Sequence, residues 1–374
     1  MALRKRVLLP IGIHLNMESV HMVQVEQAEG SLTLVSKASM VFPPLGGEAG
    51  DANGRWTETA EIPPEITENR YRQALDFVRH RCSADGFRGK QAVINVPAEQ
   101  LVIQQVRMAP MQPEELMSAL PWELQGKLPF DPKQAVVRHI VAGTVSEDNQ
   151  TKQDVIALAV PRGAVEKHIR AVEKLGLEIV GVGVEPCAMC YPYIFAAGHA
   201  AASPEGPGSL VLVHIGALAT YVAIARGEET RFVKGVTLGV ETVVQALADA
   251  RKTSVAQARA TMSGWCAGTG SGGSISTEAV EVYNQIRKPL GHFVDEIESC
   301  IRYYSSLARG AGIDRIVFLG PGARDRALVQ VIGSHLSVPC EVGAPLRAAG
   351  QAEADGEAEP ELAVALGLSL FGAQ

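Results

Sequence analysis

Two segments of the chain, separated by 200 positions, follow one pattern, and that repetition limits the fold more than any other feature. Ile13-His14-Leu15-Asn16 leads into Ser19-Val20 and then the alternating Val23 and Val25; Val213-His214-Ile215-Gly216 leads into Ala219-Thr220 and then Ala223 and Ala225. Each begins as an apolar strand, makes a short polar turn and returns with a period of two, which is the pattern of a β-hairpin. A third strand is expected after each hairpin, Leu32 to Phe42 in the first copy and Thr230 to Val236 in the second. Internal duplication takes priority over any other reading of a fold. Two three-stranded meanders, each followed by helix, predict an α/β protein of two related lobes.

The helical material has its own periodicity. Ile66, Tyr71, Leu75, Phe77 and Val78 mark a helix over 65–84, and Val243, Val244 and Leu247 mark one over 240–252. Ser254 with Gln257 makes a capping box ahead of Val255 to Met262. Ile286, Leu290, Phe293, Ile297, Ile301 and Tyr304 predict a long helix from Thr277 to Arg309, with Pro289 expected to kink it. Near the end, Arg315 to Leu319 reads as a strand that empties into Gly320-Pro321-Gly322-Ala323 and a helix over 325–336, a unit able to present backbone amides to an anion. A closing helix is expected over 362–371.

The stretch between the copies does not repeat. Gln91 to Met108 is β-rich, Pro113 to Leu128 reads as a helix with Glu114 and Glu115 at its positive end, and Ala135 to Val145 and Asp154 to Val160 read as strands. This β-α-β-β order predicts an inserted subdomain. The boundaries read as 1–98 with 161–205 for the first lobe, 99–160 for the insert, and 206–374 for the second lobe, with 239–275 its small subdomain. Linkers are expected at 43–64, 202–209, 268–274 and 350–360.

Composition excludes several classes. With 34 Lys+Arg against 41 Asp+Glu, a net charge of −7 and no basic run beyond Leu3 to Val7, the chain lacks the clustered cations that nucleic-acid binding needs. The basic start is followed by too short an apolar stretch, and no small-residue cleavage site, for a signal peptide. The apolar runs at 177–202 and 210–225 are interrupted by Glu178, Glu185 or His214, so no membrane span is expected. Six scattered cysteines do not form a disulfide framework in a chain of 374 residues. Cys187 and Cys190 have redox spacing but sit in an apolar segment and read as structural thiols. The run Gly268 to Gly273 lacks the Gly-Lys-Ser/Thr ending of a phosphate loop and reads as linker.

Two βββα halves, each opening with strand-turn-strand, resemble the duplicated actin-like (ribonuclease H-like) two-lobed fold, here with the inserted β-α-β-β subdomain. In that superfamily each hairpin turn holds one end of a nucleotide's phosphates, through an Asp, a Gly and a small hydroxyl residue, with the aspartates anchoring hydrated magnesium. The corresponding positions of the first turn are Gly12, His14, Asn16, Ser19 and His21; those of the second are His214, Gly216 and Thr220, and the later turn offers Gly320 and Gly322. Histidine stands at both aspartate positions. Imidazole is a poor partner for hydrated magnesium, so magnesium is not expected and hydrolysis with it; ATP binding without metal stays open through the remaining donors. A metal bridging His14 and His214 lacks a visible third ligand.

Within the superfamily the sequence is similar to the PilM-like type IV pilus assembly proteins. Gly12 to His21 aligns with their GIDIGSSSVK-like hairpin. Met108-Ala109-Pro110, Glu114-Glu115-Leu116, Glu123 and Leu128-Pro129-Phe130 follow their "lP…El…E…iPF" string in order. Ser254 to Ala258, Ile301 to Tyr304, Phe318 to Ala323 and Ala365 to Leu368 match further strings, again in order. The resemblance implies a cytoplasmic scaffold, peripheral to the inner membrane, that binds the cytoplasmic tail of a PilN-like membrane protein. It also implies contact with pilus motor ATPases and self-association. Glu123, Leu128, Pro129 and Phe130 are the matched positions nearest the expected partner groove. Alternatives on the same fold are a working ATPase and an FtsA-like cytoskeletal protein; the latter is expected to end in a basic amphipathic anchor, and 362–374 holds no Lys or Arg.

Overall fold

The computed structural model describes residues 6–28, 31–44, 62–147, 150–199, 208–268, 277–308, 312–350 and 358–371. Three sheets organise it. The first contains β1 (Val7–Leu8), β2 (Ile11–Leu15), β3 (Ser19–Ala28), β4 (Ser31–Val41), β5 (Gln91–Asn95) and β9 (Glu178–Gly183). Its long axis runs β4-β3-β2-β5-β9, with the first three strands antiparallel and the last two joined in parallel. The second sheet, β12 (Glu229–Val236), β11 (Thr220–Arg226), β10 (Ser209–Ile215), β13 (Ile313–Leu319) and β14 (Cys340–Val342), has the same order and the same directions. Even the hairpin registers correspond: His14 pairs with His21 and Leu15 with Val20, as His214 pairs with Tyr221 and Ile215 with Thr220. The chain is thus a duplicated actin-like α/β protein.

The third sheet is the insert, in the order β6 (Val102–Met108), β8 (Gln150–Pro161), β7 (Ala135–Glu147). Helix Pro113–Glu123 lies on it because Leu116 and Leu120, one turn apart, face Val106, Met108, Val155 and Ala157. The insert also reaches the second lobe. Gln105 Nε2 donates to both oxygens of the wholly buried Asp154, at 2.8 and 2.7 Å, and the Tyr303 hydroxyl of helix Thr277–Leu307 donates to the same carboxylate. That helix runs through Pro289 without a break, and its buried stripe of Val282, Ile286, Leu290, Phe293, Ile297, Cys300, Tyr304 and Leu307 keeps the helical period throughout. The Ser254–Gln257 capping box forms as expected, and helix Val255–Gly268 continues beyond the predicted Met262.

A central strand with helices on both faces must be apolar on both, and β2 shows why. Ile11, Ile13 and Leu15 face helix Pro64–Ala84 and Val172 in one core, whereas the other face receives helix Ala363–Phe371, which lies within the expected second lobe (206–374) in sequence but packs on the first lobe's sheet. Ser369 Oγ ties that helix down by donating to Pro10 O at 2.7 Å. Among the described residues no helix is long and apolar enough to cross a membrane. Most of each expected linker, and the glycine run after Gly268, lie outside the described residues.

Candidate functional site

The side-chain period of two puts Gly12 and His14 on the same face of β2. Helix Ala363–Phe371 covers the first, and the cleft between the lobes begins at the second. His14 is 1% exposed, and across the cleft its ring centroid lies 6.2 Å from that of His214, edge-on. On its other side the His21 ring stacks at 6.0 Å, held by Ser39 Oγ 2.8 Å from Nδ1. His14 Nε2 pairs with Glu185 Oε1, a carboxylate only 4% exposed at the start of helix Glu185–Ala188. Three imidazoles and one carboxylate therefore share a nearly dry compartment. His14 Nδ1, His21 Nε2 and His214 Nε2 have no hydrogen-bond partner there.

The first turn is organised from within. Asn16 Oδ1 accepts from Glu18 N at 2.9 Å, Ser19 N at 2.8 Å and Ser19 Oγ at 3.3 Å, an Asx turn that uses the donors a phosphate would otherwise meet. Asn16 Nδ2 lies 3.3 Å from His14 Nε2. Asn95 clamps the end of β2, accepting from Leu15 N at 2.8 Å and donating to Leu15 O at 2.9 Å. In the second lobe Thr220 Oγ1 donates to Leu238 O at 2.7 Å, so this hydroxyl too is engaged. Gly320 adopts φ +81°, the left-handed region that favours glycine, and its amide donates to Pro360 O at 3.0 Å.

Most of the residues expected at the cleft are brought together there: His14, Asn16, Ser19 and His21 from one lobe, His214, Gly216, Thr220, Gly320 and Gly322 from the other. Gly12 is a correction. Its face meets the backbone of helix Ala363–Phe371, where a Cβ would lie 1.9 Å from Ala365 O, so glycine there serves helix docking. Glu18 and Glu185 are the cleft groups that sequence reasoning missed. An acid within an apolar run, followed by Pro186, was a usable signal for Glu185. Glu18 reaches a recess of about 220 Å³ between the lobes, which is also lined by Arg70, Glu241, Arg259, Gly322 and Asp325. Arg259 Nη2 is paired with both oxygens of Glu241, at 2.6 Å to Oε2.

The insert residues behave differently. Leu128 packs against the insert core beside the buried Leu124, Glu123 pairs with Lys127 on the surface, Pro129 is exposed and Phe130 half-buried. Near them Trp122 is 65% exposed, with Lys133 Nζ 4.6 Å from its ring centroid. Cys190 is buried and Cys187 half-buried, and burial pushes the Cys187 thiol up to about 12, an inert setting.

Electrostatics in the cleft follow from its dryness. Burial, with the neighbouring His14, His214 and Arg324 acting in the same direction, lowers His21 to about 3; burial, opposed by Glu185 and helped by His14, lowers His214 to about 4. Outside the cleft, burial lowers His168 to about 4. Burial raises Glu185, but the His14 and His214 rings and hydrogen bonds from His14 and Asn16 outweigh it and hold the carboxyl at about 2. A histidine lowered from its ordinary 6.5 stays neutral in the native state while the unfolded chain takes up a proton. Its stabilising share is complete above pH 6.5 and lost as pH falls through 4 and 3. Glu185 adds loss in the same direction below 4.5. Glu18, raised to about 7, opposes them, losing its share as pH rises from 4.5 to 7, and Glu99, which burial also raises, acts in the same sense. The urea midpoint is therefore expected to fall steeply from pH 6.5 to 4, and His214→Leu to flatten that fall. A midpoint constant over this range would show that the histidines are already hydrated.

Among the described residues no group of three or more His, Cys, Asp or Glu side chains is placed to hold a metal ion. Against known proteins, the family model described as type IV pilus assembly protein PilM matches residues 64–372. Of solved structures, the PilM-PilN type IV pilus biogenesis complex is similar over 98% of each chain, with a TM-score of 0.69 and 20% identity. The ethanolamine utilization protein EutJ from Carboxydothermus hydrogenoformans is similar over 97% of this chain and 89% of its own, with a TM-score of 0.52 and 16% identity. At these identities the structural likeness concerns the fold. No curated protein matches the chain significantly.

Proposed function

We propose a function from one premise: the chain belongs to the PilM family of type IV pilus assembly proteins. Within that role it is a scaffold that binds the cytoplasmic tail of a PilN-like membrane protein, works on the cytoplasmic side of the inner membrane through that partner, and does not hydrolyse ATP. The observation that carries the last part is that the hydroxyls of the two turns and the carboxylate beside His14 are engaged within the protein. Ser19 and Thr220 spend their hydroxyls on Asn16 and Leu238, and Glu185, the carboxylate beside His14, is committed to that imidazole. Magnesium seeks free carboxylate oxygen and phosphate, and here it would meet histidine on both sides. The residues present do not fit magnesium–ATP.

The partner reading is supported by family membership and by likeness to a chain whose solved structure is named as a PilM-PilN complex. Calorimetric titration with the cytoplasmic segment of the PilN-like protein from the same cell is expected to show saturable binding. Phe130→Ala should weaken it by about tenfold or more, as for a half-buried aromatic anchor. Titration with magnesium–ATP should give no binding heat. Tight magnesium–ATP binding and no peptide binding would reverse the reading in favour of a working ATPase.

A further inference from the structure

The second hairpin turn carries the successive backbone N–H groups of Ala217 and Leu218, and adjacent amides in a turn can together take an oxyanion. The amide before them is used internally: Gly216 N donates to Ala219 O at 2.9 Å. Leu218 N instead donates to the Glu18 carboxylate, which reaches over from the first turn, 3.4 Å from Oε1, and the neighbouring Ala217 amide lowers the same carboxyl. At Gly216 a Cβ would lie 2.8 Å from Ala219 O, so the turn itself requires glycine there, and Glu18 Oε1 would come within 3.2 Å of the same Cβ. Glu18 is itself fixed at both ends of its backbone, its amide donating to Asn16 Oδ1 at 2.9 Å and its carbonyl accepting from Phe42 N at 2.8 Å. An Asx-capped turn in one lobe thus aims an acid at the turn amides of the other.

We infer that the Glu18 carboxyl fills the anion position at the second turn's amides, an internal ligand that joins the two lobes where a bound phosphate would otherwise do so. The step rests on the reading of the cleft as non-hydrolytic. Glu185 and His14 act on Glu18 through their charges, His21 and His214 stand beside His14, and Arg70, Glu241, Arg259 and Asp325 line the recess it reaches. The enclosure and Glu185 raise the carboxyl, and the two amides work against that rise. Because Glu18 also lines the recess, a small polyanion entering there would compete for the same two amides.

Hydrogen exchange at Ala217 and Leu218 tests the assignment, together with thermal shifts in metal-free inorganic pyrophosphate. In Glu18→Ala the two amides are expected to exchange at least about tenfold faster than in the wild type, because the acceptor that protects them is gone. The same variant should gain thermal stability from pyrophosphate while the wild type gains none. Glu18→Gln, whose amide oxygen still accepts, should keep the protection. Unchanged exchange in Glu18→Ala overturns the inference, as does pyrophosphate stabilising both proteins equally or neither. Binding of the PilN-like segment, measured on the same three proteins, reports separately on the partner reading: its failure in the wild type leaves the exchange result to decide Glu18 alone.

Discussion

Gly12→Ala is expected to destabilise the protein by at least about 3 kcal/mol, at the upper end for overpacking, because both atoms in the way are backbone. The added methyl would lie 1.9 Å from Ala365 O and 2.5 Å from Ser369 N, so no rotamer change relieves it and the whole helix Ala363–Phe371 has to move. That helix is buried over eight consecutive residues, from Ala363 to Leu370, and any shift opens contacts on every side. Gly367→Ala attacks the same docking from the opposite face, with a Cβ 1.7 Å from Ala188 O. Since both displace one element, the double variant should lose less than the sum of the singles. Gly291→Ala is the control: it lies in helix Thr277–Leu307 with nothing within 4 Å of the new methyl, and should gain up to about 1 kcal/mol from helix propensity. Urea midpoints decide the matter, and a Gly12→Ala protein as stable as the wild type would mean that the helix does not dock closely on β2.

Gly12 also marks what a sequence reveals and what it hides. A glycine two residues before His14, in a hairpin of phosphate-binding pattern, reads naturally as part of a nucleotide site. Nothing local announces that its face belongs to a helix more than 350 positions away. The hairpins themselves were legible because period-two alternation and a short polar turn are local, and the shared register of His14 with His21 and of His214 with Tyr221 follows from them. The parallel pairings of β2 with β5 and of β10 with β13 close far longer loops and leave no comparable trace. The insert was legible by exception, as the part that failed to repeat. For the cleft, the histidines were found by position, but their partners were not. Glu185 lies 171 residues from His14, and Glu18 is 200 residues from Leu218, distances over which only a folded chain brings charges together.

The His14–Glu185 pair leads to the second large effect. Replacing His14 by aspartate would supply a carboxylate of the kind magnesium seeks, yet the expected result is a loss of about 3–5 kcal/mol, the cost of breaking a buried pair and leaving its charge uncompensated. The new carboxylate would face Glu185, which is only 4% exposed. Besides His14, its side-chain hydrogen-bond partner in the cleft is Asn16, whose Nδ2 lies 3.5 Å away. Adding Glu185→Gln should return most of the loss, because the second carboxylate is then gone; this coupling separates charge repulsion from simple mispacking of the smaller side chain. Magnesium and ATP should not rescue the single variant, and Asn16→Gly with His214→Asp added to it should not create a magnesium site. Asn16 caps the first turn through three hydrogen bonds, so its removal loosens the turn that a phosphate would need. If His14→Asp instead folded with wild-type stability and bound magnesium–ATP, the pair would be incidental and the cleft one substitution from an ATPase. The reason to expect otherwise is that the imidazole–carboxylate pair, the Asx turn and the reach of Glu18 to the second turn's amides are mutually supporting, and a nucleotide would have to displace all three.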